Sequence, residues 1–180
     1  MLFRSLYPLY SFGILNGGSA TSYVDNKRNR SFNPFLFDLY KKDFDIFSAR
    51  WGNKPKGITP AFIQPNGEEG PSFIELKMRS LLLETLRYRH LARRTDSGPF
   101  PLFQMTSFFN DSEITETYKF YKASPHLEPL IKFTNIDITE TLTGVQPLIA
   151  AFTHSGEGRV KNIFMNAFGK PGEPLPLPGG

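Results

Sequence analysis

The sequence contains no cysteine among its 180 residues. Disulfides, thiolate metal sites and cysteine nucleophiles are thereby excluded together, and the compartment is left open. Histidine is scarce: His90, His126 and His154 lie far apart, and none has a partner at a ligand spacing such as i, i+4. No metal or other cofactor is expected. Long hydrophobic runs are also missing. A spanning helix needs roughly 18 or more consecutive apolar residues, whereas the best interior candidate, residues 145–152, interrupts its apolar run with Gln146 and Pro147. No transmembrane helix is expected. Acidic residues are absent from the first 24, a stretch with one arginine, four serines and many Leu, Phe and Tyr. Lack of acid and plentiful hydroxyls suit a mitochondrial targeting segment, though arginine is sparse. Pro8 splits the apolar part and argues against a secretory signal. The segment reads as a retained mitochondrial address or as an aromatic arm lying on a partner or on lipid head groups.

Glycine and proline are abundant, at 15 each, and gather between the periodic segments and at the C-terminus. Phenylalanine is more abundant still, with 18 residues. The elements between the breakers are few and short, so a small core cannot absorb all this aromatic surface, and the surplus points to contacts with other molecules.

Helix formers run longest over residues 72–94, SFIELKMRSLLLETLRYRHLARR. Pro71 and a Ser72-x-x-Glu75 capping box mark its start, and the turn formers of residues 95–99 mark its stop. A second helix is expected over residues 33–52, with Asn33 as N-cap, Pro34 at the first helical position and Gly52 beyond the end. A third starts at Asp111 or Ser112 and runs to Ala123. Residues 25–31 read as a polar link. Residues 53–70 read as a long irregular connection with one short extended piece at 61–64, laid over a supporting surface. Residues 98–109 read as aromatic and extended. Residues 130–139, rich in β-branched and aromatic side chains, read as a bulged strand or two short strands. Pro147 is read as opening a short helix to Phe152, residues 159–168 as a helical stripe, and residues 169–180 as a polyproline-like tail. The fold class is mainly α with long irregular or extended arms, a small helical core and room for one short strand pair. In domain terms, residues 1–31 form an extended aromatic N-terminal arm, 32–168 a small mainly helical domain, and 169–180 an extended Pro/Gly-rich tail.

No residue set reaches a catalytic signature. The stretch His154-Ser155-Gly156-Glu157-Gly158 places nucleophile, base and acid types side by side, but adjacent side chains cannot form a relay. Its glycines lack the spacing of a phosphate loop, and Glu157 would repel a phosphate. The local pairs Asp43 with Asp45 and Glu68 with Glu69 do not converge. His126 and Glu128, between Pro125 and Pro129, fit a rigid chain reversal. The chain is expected not to be an enzyme and to have no small-molecule substrate.

Net charge is +4, and residues 87–94, RYRHLARR, carry four arginines and no acid, so the remainder is neutral. The interaction candidates are Arg87, Tyr88, Arg89, Arg93 and Arg94. They suit phosphates of RNA or of lipid head groups, with Tyr88 stacking on a base. They equally suit protein contacts, or the negative end of their own helix. On an ideal wheel Arg89 and Arg93 lie within about 40° and Arg87 and Arg94 within about 20°, giving two basic ridges rather than one flat footprint. The expected partners are other protein subunits of a large assembly, with lipid head groups meeting the N-terminal arm. The first expectation is a non-catalytic accessory structural subunit of a mitochondrial membrane-associated energy complex, an ATP synthase or a respiratory complex, peripheral to the inner membrane or in the matrix. The alternative is a mitochondrial ribosomal protein contacting rRNA, ranked second because basic residues are concentrated in one octet instead of spread widely.

Overall fold

The computed structural model describes residues 10–147, apart from 17, 19, 21–23, 96, 97, 107 and 108. The expected helices over 147–152 and 159–168, and the tail, fall largely or wholly outside the described residues. Within them the chain is mainly helical, with six α-helices and one three-stranded sheet. In chain order these are β1 (Phe12–Leu15), α1 (Asn26–Phe32), α2 (Pro34–Leu39), α3 (Lys41–Trp51), α4 (Phe73–Ala92), β2 (Leu102–Thr106), α5 (Asp111–Tyr118), α6 (Glu128–Thr134) and β3 (Leu142–Pro147).

The long helix α4 forms as its sequence dictates. Ser72 Oγ accepts from the Glu75 amide, and the Glu75 carboxylate accepts from the Ser72 amide at 2.7 Å, completing the capping box. Ile74, Met78, Leu81, Leu82, Thr85 and Tyr88 are buried, a stripe about 120° wide on a helical wheel. Leu83 lies opposite and is exposed. The stripe serves two hydrophobic clusters. Ile74, Met78 and Leu82 pack with Ile114 of α5, Tyr121, Leu127, Ile136 and Ile138. Leu81 and Tyr88 pack with Phe100 and Leu102, against Phe12 and Ile14 of β1.

The sheet is parallel throughout, in the order β1-β2-β3. Phe12 pairs with Leu102 and Leu15 with Met105; on the other side a register shift between Leu102 and Phe103 lets Phe103 pair with Gly144. Three parallel strands therefore stand where one strand pair was expected. The aromatic stretch of residues 98–109 supplies the central strand: Leu102, Gln104 and Thr106 point into the protein, while Phe103 points out and is 47% exposed.

Several sequence expectations are corrected. Residues 130–139 form no strand, because Pro129 starts α6, Leu127, Leu130 and Ile131 pack on the first cluster at helical spacing, and Asn135 stops the helix in the left-handed region at φ 52°. Packing here outweighs β-propensity. Residues 25–31 are not a linker. Asp25 caps α1 through the Arg28 amide at 2.9 Å, giving a helix without an apolar face to betray it. The expected 33–52 helix breaks at Tyr40 into α2 and α3, with the Asn33 cap and Pro34 start in place. The segment assigned to an N-terminal arm contributes β1 and α1, and Pro147 belongs to β3 and does not open a helix. The irregular connection is a narrow hairpin: Ala61, Gln64 and Gly70 donate across it to Pro71, Glu68 and Phe62, and Gly67 turns it at φ 84°.

Buried polar side chains fasten these elements. Tyr118 of α5 donates to Gln104 Oε1 at 2.9 Å, and burial first, then neighbouring Tyr121, pushes the Tyr118 phenol well above its ordinary range, keeping it a donor. Ser124 donates to the Glu75 carboxylate, and Arg79 donates to the His126 carbonyl at 2.8 Å, so the turn before α6 is clamped to α4. Below β3, burial pushes the Asp137 carboxyl up, but hydrogen bonds from Lys122 and Thr139 and the Lys122 charge outweigh it and leave it below the ordinary carboxylate range.

Two tests follow from this packing. Met78→Ala should lower stability in chemical denaturation by about 2–5 kcal/mol, and Leu83→Ala, on the exposed side, by no more than about 0.5 kcal/mol. A depressed folded-state pKa contributes stability above the unfolded value and loses it as pH falls through the folded one. The stability advantage of the wild type over Asp137→Asn should therefore be present at neutral pH and shrink progressively as the pH falls below about 4.

Candidate functional site

Among the basic octet, Arg87, Tyr88 and Arg89 lie on α4, which ends at Ala92. Arg93 adopts the left-handed conformation, φ 53° and ψ 44°, and its amide and that of Arg94 return to Arg89 and His90 carbonyls. The helix stops before the turn formers at 95–99, so Arg93 and Arg94 are off the wheel and the two expected ridges do not exist. Tyr88 is buried and meets Phe100 edge-on at 6.1 Å, which removes it as a base-stacking residue. Arg87, Arg93 and Arg94 are exposed and Arg89 is half-buried. The octet is thus a buried anchor ringed by cations.

A larger surface lies on α1, α2 and α3, none of which has a buried residue. Phe32 and Phe35 are 77% and 74% exposed, and Leu39 and Ile46 are exposed with them. The charges of this limb answer one another: Arg30 meets Asp38 at 3.2 Å, Lys41 meets Asp45, and Arg50 meets Glu69 at 3.1 Å. Trp51 Nε1 donates to Glu69 at 2.6 Å, fixing α3 to the 60–72 hairpin. Between α3 and that hairpin runs a groove of about 760 Å³, walled by Tyr40, Ile46, Phe47, Ile63 and Pro65. Composition signalled the aromatic surplus, but it could not say which phenylalanines stay outside.

A separate crevice of about 440 Å³ lies along the free edge of β1, closed by the first turn of α4 and by residues 56 and 57. Lys56, Lys77, Asn16 and Phe73 line it, and the Lys77 ammonium lies over the ring of Phe12, 5.2 Å from its centre. Asn16 follows β1 directly. Its Oδ1 accepts from the Gly57 amide at 2.9 Å and its carbonyl accepts from Asn110 Nδ2 at 3.0 Å, yet its own buried Nδ2 has no hydrogen-bond partner among the described residues. A buried donor left unpaired costs about 1–3 kcal/mol. A Cβ on Gly57 would fall 2.1 Å from that nitrogen, so any larger residue there would displace the Asn16 side chain. No sequence pattern marked this site, since Asn16, Lys56 and Lys77 are scattered and come together only through the fold. Among the described residues no group of His, Cys, Asp or Glu is placed to hold a metal ion, and no helix is long and apolar enough to cross a membrane.

No protein-family profile matches the chain, and no curated protein or solved structure is similar to it. Function rests on these surfaces alone.

The end of α4 can be checked directly. Replacing Arg93 by Gly should raise stability by about 1 kcal/mol, because glycine holds a left-handed cap without a Cβ penalty. Tyr88→Ala should lower it by about 3 kcal/mol, the cost of emptying a buried aromatic site. Denaturant titration measures both.

Proposed function

We propose that this chain is a non-catalytic structural subunit of a larger assembly, with its α1–α3 limb covered by a neighbouring protein. One observation carries the reading: three consecutive helices bear exposed Phe32, Phe35, Leu39, Tyr40 and Ile46 and bury nothing of their own. Isolated helices this short are marginal in water, and most helical stability comes from tertiary packing of an apolar face. A helical limb of this kind needs a surface to lie against. The sheet repeats the pattern. Parallel sheets are almost always covered on both faces, yet beside exposed Phe103 a Cβ on Gly13 would meet nothing within 4 Å among the described residues.

A protein is favoured over lipid or nucleic acid as the covering partner because three of the limb's six cations already meet carboxylates, Arg30 and Lys41 within the limb and Arg50 on Glu69, so that the exposed apolar side chains offer the main attraction. The mitochondrial setting, at the inner membrane or in the matrix, is supported by the acid-free first 24 residues. Within it, an accessory place in an ATP synthase or respiratory complex stands ahead of a place in the mitochondrial ribosome. Burial of Tyr88 weakens the ribosomal reading, because it takes the one aromatic candidate away from RNA.

Phe35→Ser combined with Leu39→Ser tests the proposal. The double variant should keep the wild-type core melt, since neither side chain is buried, but should leave the assembly when mitochondrial extracts are separated on native gels. Wild-type chain migrating as a free monomer in such extracts would contradict the proposal.

A further inference from the structure

We propose that the crevice beside β1 is a binding site for a small phosphorylated molecule with a flat apolar body, of the nucleoside monophosphate class. Its only charged walls among the described residues are Lys56 and Lys77. Lysine ammonium groups act as point charges that suit a phosphate dianion. Asn16 supplies a neutral donor. The Gly57 amide requires an acceptor opposite it, which fixes the carbonyl end of the Asn16 side chain and leaves Nδ2 without a partner among the described residues. Asn16 is 5% exposed, and a small outward movement onto a bound oxygen would satisfy the nitrogen.

The location favours an anion as well. The crevice lies at the carboxyl end of a parallel strand and against the first turn of the 20-residue helix α4, where backbone dipoles present their positive end. Glu75 does not oppose this. It projects about 160° around the helix from Lys77 and is held by the Ser72 amide and Ser124. Gly13 brings bare backbone to the wall, which allows close approach, whereas Gly57 is covered by the Asn16 side chain. The ring of Phe73, 41% exposed at the rim, and the flank of Ile14 offer a flat apolar surface beside the cations. A ligand matching both halves joins a phosphate to an aromatic body. This inference stands independently of the assembly proposal, because the crevice and the α1–α3 limb share no residue.

Isothermal titration of the full chain at low ionic strength tests it with four probes: AMP, adenosine, inorganic phosphate, and phosphatidylcholine vesicles containing phosphatidic acid. AMP should bind saturably, one per chain, at least tenfold more tightly than adenosine or inorganic phosphate, and should weaken as salt rises. Lys77→Ala, which removes a half-exposed side chain, should weaken AMP about tenfold, the scale of one charge-assisted hydrogen bond. Asn16→Asp should abolish binding, because it keeps the acceptor for Gly57, deletes the donor and adds a negative charge. Phe73→Ala should bring AMP down to the affinity of inorganic phosphate. The proposal is overturned if AMP does not bind, if it binds Lys77→Ala and wild type equally, or if only the vesicles bind. Lys77→Ala also removes the ammonium that lies 5.2 Å from the centre of the Phe12 ring, so its thermal melt is recorded beside its titration: a wild-type melt with wild-type AMP affinity overturns the proposal, whatever Asn16→Asp does to folding.

Discussion

The structure depends on the burial of one helical stripe on α4. Ile74, Met78 and Leu82 hold α5, α6 and the turns around them, and Leu81 and Tyr88 hold the sheet through Phe100 and Leu102. Without that stripe neither cluster has a centre. The capping box matters for the same reason: it fixes where the helix begins, and hence which side chains face which cluster. The same stripe leaves Leu83 facing outward, so α4 is buried along one side only.

Around this apolar frame, a seam of buried polar contacts sets the positions of the remaining elements. Gln104 joins α5 to the sheet, Glu75 and Arg79 hold the turn before α6, and Asn16 with Asn110 links the end of β1 to the start of α5. Buried polar groups that find specific partners favour one arrangement over its competitors, because a shifted arrangement would strand them. Asn16 Nδ2 has no partner among the described residues, and Asn16 lines a crevice with two lysines.

Much of the helical frame could be read from local chemistry. Ser72 with Glu75, and Asn33, announce helices through groups that satisfy first-turn amides, and the structure places helices there; α5 also starts at Asp111, though with no side-chain cap, and ends at Tyr118, short of the expected Ala123. What failed depended on distant contacts. Residues 130–139 resemble a strand by composition, but Leu127, Leu130 and Ile131 gain more from packing on α4 and α5 than from pairing. Helix α1 has no apolar periodicity to reveal it. The parallel sheet joins strands separated by long crossovers, and four-residue β1 gives too short a pattern to announce itself. The basic octet was legible as charge, whereas the burial of Tyr88 within it required knowing where Phe100 lies. The crevice residues were invisible for the same reason.

The fold thus divides into a core that satisfies itself and a limb that does not. Hydrogen exchange on the chain, free and within its native assembly, tests that division most directly, since protection reports local opening element by element. Amides of α4 should be protected in both states, while those of α1–α3 should exchange rapidly in the free chain and slowly in the assembly. Equal, strong protection of α1–α3 in the free chain would show that the limb stands without a partner and would contradict the account.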